Sequence, residues 1–416
     1  MIVKDTDVII IGAGIAGLTA AKVLKAAGKS VKILEATASI GGRVKTDEQD
    51  GFLLDHGFQV LLTAYPEAKR FLDYKALDLR CFYPGALILT TNGISQIGDP
   101  LRQPSALFKT LISPAGSLID KLRMLALKLK LSGKSIDTIF AETETTTTAY
   151  LKHAGFSDKM ISQFFRPFMT GIFLENELKT SSRMFEFVFK MFSEGDTAIP
   201  ARGMGMIPKQ LAMGLKAHEL VLKENVNGID SNEVKTVKGN TYRGKYILFT
   251  TPVPNIPIPL KHIYKKPKSV ISMYFASAKP PFTKPLIALN TMPNKLVNNV
   301  AVMNQISPHY SLNGESLISV SLIGHSETND SADLIPKVLD ELKRWYPDAV
   351  TWRHIKTYNI RYALPNDEQV RNELDPTDLK ISEHCFICGD HLFNGSINAA
   401  MKSGRLAAEA IIKTIG

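Results

Sequence analysis

The apolar pattern is most regular near the start of the chain. Val8–Ile11 is an unbroken apolar run, short enough for a strand buried on both faces. Leu18, Ala21 and Leu24 then recur at helical spacing, and Gly28 stops the pattern where a helix C-terminus favours glycine. Val31–Leu34 is a second apolar run, so the pattern predicts a strand–helix–strand unit with parallel strands. Between the first strand and the helix lies Gly12-Ala13-Gly14-Ile15-Ala16-Gly17, which fits G-x-G-x-x-G. Gly12 permits the tight turn, Gly14 lets a pyrophosphate approach the backbone, and Gly17 lets the helix pack against the strand. Ile15 and Ala16 complete that turn. Glu35, followed by Ala36, ends the second strand, where a carboxylate can accept hydrogen bonds from a ribose. The same carboxylate would repel a 2′-phosphate, so the unit predicts FAD or NAD and not NADP.

From Thr63 to Ala198 the texture changes to long helical patterns rich in aromatics and methionine. Leu118, Leu122, Leu125 and Leu129 share one helical stripe, flanked by Lys121, Arg123, Lys128 and Lys130. This reads as a core-facing helix with a solvated opposite side, or as a basic amphipathic helix lying on an anionic membrane. Phe156–Phe192 is mostly core, and its phenylalanines (164, 165, 168, 173, 185, 187 and 189) are expected to supply an apolar cavity. Leu220–Val226 and Tyr246–Thr251 read as strands, and the proline-rich stretch from Pro252 to Pro259 as a connection. Ser269–Phe275 and Leu317–Ile323 alternate, which predicts a second sheet, and Leu334–Trp345 reads as a helix ending before Pro347.

Composition narrows the classes. A chain of 416 residues with 44% hydrophobic and 22% charged residues is ordinary for a globular protein of two or three domains. No apolar run reaches the ~18 residues a membrane span needs. The N-terminal apolar run is the first strand and not a signal peptide, so a cytoplasmic location is expected. The net charge of +10 would suit an anionic surface, yet no dense basic tract or aromatic-basic motif points to nucleic acid. Three cysteines make no disulfide framework. Cys385 and Cys388 point to opposite faces of a strand and lack two further ligands nearby, so no metal is expected.

Further motifs follow. Gly41-Gly42-Arg43 can crowd backbone amides against a phosphate and neutralise it. Gly51-Phe52-Leu53-Leu54-Asp55-His56-Gly57-Phe58 reads as a short strand ending in a turn. The C-terminal stretch runs from Cys385 through Gly389-Asp390 and Gly395-Ser396-Ile397-Asn398 to Ser403-Gly404-Arg405. Together these resemble the flavin-dependent amine oxidase and phytoene desaturase superfamily, over nearly the whole length. Ser39 is a departure, standing where many members carry an arginine.

The resemblance implies an α/β fold: a doubly wound, Rossmann-like FAD-binding domain with an inserted substrate domain of mixed sheet and helices. The expected division is 1–65, 199–255 and 375–416 for the FAD domain, and 66–198 and 256–374 for the substrate domain. It also implies that Val226 meets the adenine edge, that Gly389 and Asp390 hold the ribityl or phosphate region, and that Ser396 caps a helix. The Ile397 and Asn398 amides would then face the flavin ring, and Gly404 would let that helix approach the sheet. His56, His391 and Tyr362 flank these motifs and could reach the substrate as acid–base groups or wall, with packing as the alternative.

Amine oxidases of the superfamily often carry a strand lysine near the flavin, and Val270 occupies the matching position. That absence favours a desaturase-like enzyme that removes a hydride from an apolar, isoprenoid-type substrate to flavin N5. Oxygen or a quinone would take the electrons, since no second dinucleotide motif is present. Oxidation of an amine or a protoporphyrinogen-like ring is the same-class alternative. A flavin-dependent isomerase and a flavin-free prenyl- or lipid-binding protein of the same fold are the others.

Overall fold

The computed structural model describes residues 6–99, 102, 113, 116–252, 266–324 and 333–415. Of the proline-rich connection, only Pro252 falls among them. The chain enters through Thr6–Ile11 (β1), turns at Gly12 into Ile15–Ala26 (α1), and returns through Val31–Leu34 (β2). β1 and β2 pair in parallel, with Val8 opposite Val31 and Ile11 opposite Leu34. Gly28 takes a left-handed φ of +73°, and the Lys29 N–H donates to the Leu24 carbonyl at 3.0 Å, closing α1 as its sequence requires.

The chain then visits a second sheet through the hairpin Gly85–Thr90 (β3) and Gly93–Gly98 (β4). Helices follow: Leu118–Ser132 (α2), a π-helical turn at Ile161–Phe165 that runs into Arg166–Phe173 (α3), and Ser182–Glu194 (α4). Leu220–Val221 (β5), Val226–Asp230 (β6), Glu233–Thr236 (β7) and Thr241–Phe249 (β8) rejoin the first sheet. The single strand expected over Leu220–Val226 is thus two. Lys223 takes a φ of +56°, and the buried Glu224 carboxylate accepts from Thr236 Oγ1 and Asn240 Nδ2 at 2.7 and 2.8 Å. These contacts turn the chain from β5, beside β2, into the β6–β7 hairpin.

Lys268–Ser277 (β9), Ile287–Asn290 (β10), Val297–Val302 (β11), Ser316–Ile323 (β12) and Arg353–Leu364 (β13) complete the second sheet. Its order is β13-β9-β12-β11-β10-β3-β4. Cys385–Ile387 (β14) returns to pair in parallel with β8, and Ile397–Ile415 (α5) follows. The parallel part of the first sheet runs β5-β2-β1-β8-β14.

Two expectations change here. Gly404 brings α5 against α1 and not against the sheet: a Cβ on it would lie 2.2 Å from the Ala16 carbonyl oxygen. The leucine stripe of α2 does not face the core: Leu118, Leu122 and Leu129 are 60%, 59% and 60% exposed. The inward face carries Asp120, Leu127 and Leu131 instead. Asp120 fixes that rotation. Its carboxylate accepts from the Ser117 N–H and Oγ at 2.7 and 2.8 Å, and from the Ser157 N–H and Oγ at 2.8 and 2.7 Å. A buried carboxylate with four donors outweighs a few exposed leucines, because leaving it unpaired would cost several kcal/mol, on the order of 3.

Candidate active site

A connected cavity of about 1080 Å³ is lined by both sheets and by α2, α3 and α4. One end lies at the carboxyl ends of β1 and β2, where open α/β sheets bind ligands. There Gly12 takes a φ of +107°, and its N–H donates to the Leu34 carbonyl at 2.9 Å. The Gly41 N–H donates to the Ala13 carbonyl at 2.8 Å, joining the two glycine turns. A Cβ added at Gly14 meets only Gly42 Cα at 4.0 Å, so the space beside Gly14 belongs to the cavity. The buried Glu35 carboxylate accepts from the Ala13 N–H at 2.9 Å, and from the Thr37 N–H and Oγ1 at 2.9 and 2.7 Å. Glu35, Ala36, Asn225 and Val226 line this end together.

Arg43 ties the middle of the cavity together. Its Nη2 donates to Asp390 Oδ1 at 2.6 Å, and its Nη1 to the Ala363 carbonyl at 2.9 Å. Its guanidinium lies 5.1 Å from the Tyr362 ring centroid. Two buried polar atoms of cavity-lining residues, Gln59 Oε1 and Thr251 Oγ1, have no protein partner among the described residues. A glycine-walled groove, an acid at the strand end and unpaired polar atoms along the wall fit an extended dinucleotide.

The far end of the groove carries Gly57, Phe58, Gly389, Asp390, Ser396 and Ile397, with His56, Tyr362 and His391 beside them. Ser396 caps α5: its Oγ accepts from the Ala399 N–H and its carbonyl from the Ala400 N–H, both at 3.0 Å. Of the candidates read from sequence, Gly17 and Asn398 do not line the cavity. A Cβ on Gly17 would sit 2.3 Å from the Gly12 carbonyl, so that glycine serves helix packing. The Asn398 side chain is buried elsewhere and accepts from the Glu67 N–H at 3.0 Å.

Asp55, just before His56, points away from the cavity. It accepts from Thr46 Oγ1, Tyr310 OH and the Met204 N–H at 2.5, 2.5 and 2.9 Å, clamping its hairpin partner and two distant segments behind the site. His56 Nε2 lies 3.0 Å from Asp47 Oδ2 at ion-pair distance, off the axis of a hydrogen bond. The Tyr358 OH donates to the same oxygen at 2.7 Å, and its ring lies 4.5 Å from the imidazole. This arrangement around His56 has no signal in sequence spacing, because Asp47 and Tyr358 come from separate strands.

The loop before α5 is held by a buried acid that the sequence reading missed. Asp367 Oδ2 accepts from the Gly395 N–H at 2.8 Å. Burial pushes its carboxyl up to about 7, opposed by that N–H and by Lys268 and Arg43, with Asp390 adding to the rise. A folded-state pKa above the unfolded value means that stability from the neutral acid is present at low pH. It is lost as pH rises from about 4 toward about 7. Asp367→Asn keeps the acceptor and removes the charge. The variant should be more stable than wild type at pH 8, by about 2 kcal/mol, and equal to it near pH 4. Urea midpoints at the two pH values check this.

The apolar walls come from Phe164, Phe168, Val188, Phe189 and Phe192, with Val270 and Ile360 opposite each other on β9 and β13. Phe164 and Phe168 stack with centroids 5.7 Å apart. The expected wall residues Phe165, Phe173, Phe185 and Phe187 are core instead, each no more than 2% exposed. Composition could not sort the two sets, since both lie on helices with apolar residues on several faces. No group of three His, Cys, Asp or Glu among the described residues could hold a metal ion.

Residues 15–412 match the flavin containing amine oxidoreductases. The chain belongs to that family. It is 27% identical over 164 residues to the mitochondrial protoporphyrinogen oxidase of Nicotiana tabacum, a match covering 39% of this chain and 32% of that protein. It is 22% identical over 474 residues to a 15-cis-phytoene desaturase of an Oncidium hybrid cultivar, covering 99% of this chain and 78% of the relative. Among solved structures, an oxidoreductase of Methanosarcina mazei superposes with a TM-score of 0.73 at 16% identity, covering 95% and 98% of the two chains. That likeness shows the shared α/β fold. The family makes this chain a flavin-containing oxidoreductase, with FAD as its cofactor.

Proposed function

We propose that this family member removes a hydride from a largely apolar, isoprenoid-type substrate. The observation that carries this reading is the cavity wall next to the flavin motifs. Val270, Ile360, Leu174 and the four phenylalanines line it, and β9, β11, β12 and α3 bring no charged side chain to it. A cationic amine would be held by a carboxylate or an aromatic cage. Oxidation of an amine or a protoporphyrinogen-like ring is the second reading, favoured by the family and by the tobacco relative.

The first sheet, from 1–65, 199–255 and 375–416, serves as the FAD domain, and 66–198 with 256–374 as the substrate domain. Glu35 and Val226 would hold the adenosine end. Gly12, Gly14, Gly42 and Arg43 would hold the pyrophosphate, and Gly57, Ser396 and Ile397 would face the ring. When bound, the flavin supplies the two-electron redox chemistry. The chain orients the substrate, excludes water with its phenylalanine walls, and offers His56 as the group that can hold a proton. Oxygen or a quinone is the proposed acceptor. Anaerobic mixing of the holoenzyme with polyenes and with polyamines tests the reading. Bleaching of the flavin by polyenes alone supports it, and bleaching by polyamines alone replaces it with the amine reading.

The route into the cavity supports a membrane contact. Leu118, Leu122 and Leu125 of α2 line the mouth beside Lys121 and Lys128. No helix among the described residues is long and apolar enough to cross a membrane, so α2 would lie on an anionic surface. Lys128 pairs with Asp99 and Lys121 donates to the Ser113 carbonyl at 3.0 Å, so a lipid phosphate would compete for them and each contributes at most about 1 kcal/mol. Co-sedimentation should be at least tenfold stronger with anionic than with neutral vesicles, and Leu122→Ser with Leu129→Ser should reduce it. Equal sedimentation with both vesicle types removes the idea.

A further inference from the structure

The wall of the cavity on β11 and β12 carries a polar patch that nothing in the flavin groove needs. At β11 the register slips: Val297 faces Leu322 and Asn299 faces Ser321, so one extra residue, Asn298, bulges between them. Bulges re-aim side chains, and here both asparagines bury, at 2% and 1% exposure. Asn298 Nδ2 donates to the Pro167 carbonyl and to Asn299 Oδ1, both at 3.2 Å. Asn299 Nδ2 donates to Ser321 Oγ at 3.3 Å. Asn299 and Ser321 both line the cavity, as does Gly171 of α3. A Cβ on Gly171 would come within 3.2 Å of Asn298 and 3.4 Å of Asn299, so glycine lets the helix close over the patch.

The direction of this relay is fixed by its first member. The Pro167 carbonyl can only accept, so Asn298 must turn its amide nitrogen toward it. Asn299 must then present its oxygen to Asn298 and its nitrogen to Ser321. The Ser321 oxygen is used as an acceptor, which leaves its O–H, and the second N–H of Asn299, without a protein acceptor among the described hydrogen bonds. Two cavity-facing donors and no charged side chain in the relay suit a neutral oxygen; Asn298 Oδ1, unpaired among the described residues, and the Ser272 and Ser319 hydroxyls lie behind and beside them. A buried carboxylate there would lack a cation, and a hydrocarbon would leave both donors unpaired.

We propose that Ser321 and Asn299 form a substrate subsite that takes a neutral carbonyl, hydroxyl or ether oxygen. The substrate is therefore an apolar chain carrying one such oxygen and not a plain hydrocarbon. Ser321 is diagonal to Val270 across one strand pair, Val270 facing Ile323 and Ser272 facing Ser321, so the oxygen would be held close to the reacting face.

This deepens the apolar-substrate reading and rests on it. The test is equilibrium binding to the wild-type holoenzyme, read by quenching of bound-flavin emission. The probes are a C20 isoprenoid methyl ketone, the hydrocarbon with CH2 in place of its carbonyl, and a primary amine of equal length. The ketone should bind about tenfold more tightly than the hydrocarbon, the worth of one or two net hydrogen bonds. Ser321→Ala, with unchanged flavin content and melting temperature, should lose most of that preference while keeping its affinity for the hydrocarbon. Equal binding of ketone and hydrocarbon by wild type overturns the subsite alone. A preference that survives in Ser321→Ala does the same. Binding of the amine with neither of the others overturns the apolar-substrate reading and the subsite with it.

Discussion

Purified Gly14→Val protein is expected to be folded and colourless. Gly14 has an ordinary backbone conformation, φ −76° and ψ −179°, so a valine is not strained there. The new side chain meets no protein atom closer than Gly42 Cα at 4.0 Å from its Cβ. It projects into the groove where a pyrophosphate must approach the backbone. The cost therefore falls on the ligand and not on the fold. Flavin affinity should drop at least a hundredfold, while the melting temperature should equal that of wild-type protein stripped of flavin. Absorbance and melting curves of both proteins check this, and a variant that kept its full complement of flavin would remove Gly14 from the site.

Gly404→Ala should have the opposite signature, a loss of fold. The added Cβ would lie 2.2 Å from the Ala16 carbonyl oxygen and 3.0 Å from its carbonyl carbon. Both are backbone atoms, so no side chain can swing aside. α1 and α5 must separate, and α1 begins in the glycine turn of the cavity. The expected loss is about 3 kcal/mol or more, since overpacking against backbone has no cheap relaxation. Gly28→Ala is the control: it has open space around it and only its φ of +73° to strain, so about 1 kcal/mol is expected. Urea midpoints rank the two, and a Gly404→Ala protein as stable as wild type would contradict the close crossing.

The glycine turns and the acid at the β1–β2 end of the cavity are legible in the sequence because each serves a local need. Gly12 and Gly14 answer to a turn within one short stretch, and Glu35 to the end of the next strand. The far end was readable in outline, since the 56–58 and 389–397 segments carry recognisable turns and both reach the cavity. Its supports were not. Asp367 reaches Gly395 across 28 residues, and Asp55 collects Met204 and Tyr310 from 149 and 255 residues away. Local patterns hold no record of such pairings. The rotation of α2 is open in the sequence for the same reason: Asp120 and Ser157 decide it, and hydrophobic spacing alone cannot choose between the core and an outer surface. The polar patch was hidden by a bulge, which breaks the alternation that assigns side chains to faces.

The measurement that tests the central claim most directly is the mass of the product. Holoenzyme supplied with the apolar substrate that bleaches it, and with a quinone as acceptor, is run to completion and the product weighed by mass spectrometry. Net removal of a hydride and a proton predicts a product two hydrogens lighter, with one quinone reduced per product formed. A product of unchanged mass, formed with no quinone consumed, would contradict it and make the protein an isomerase.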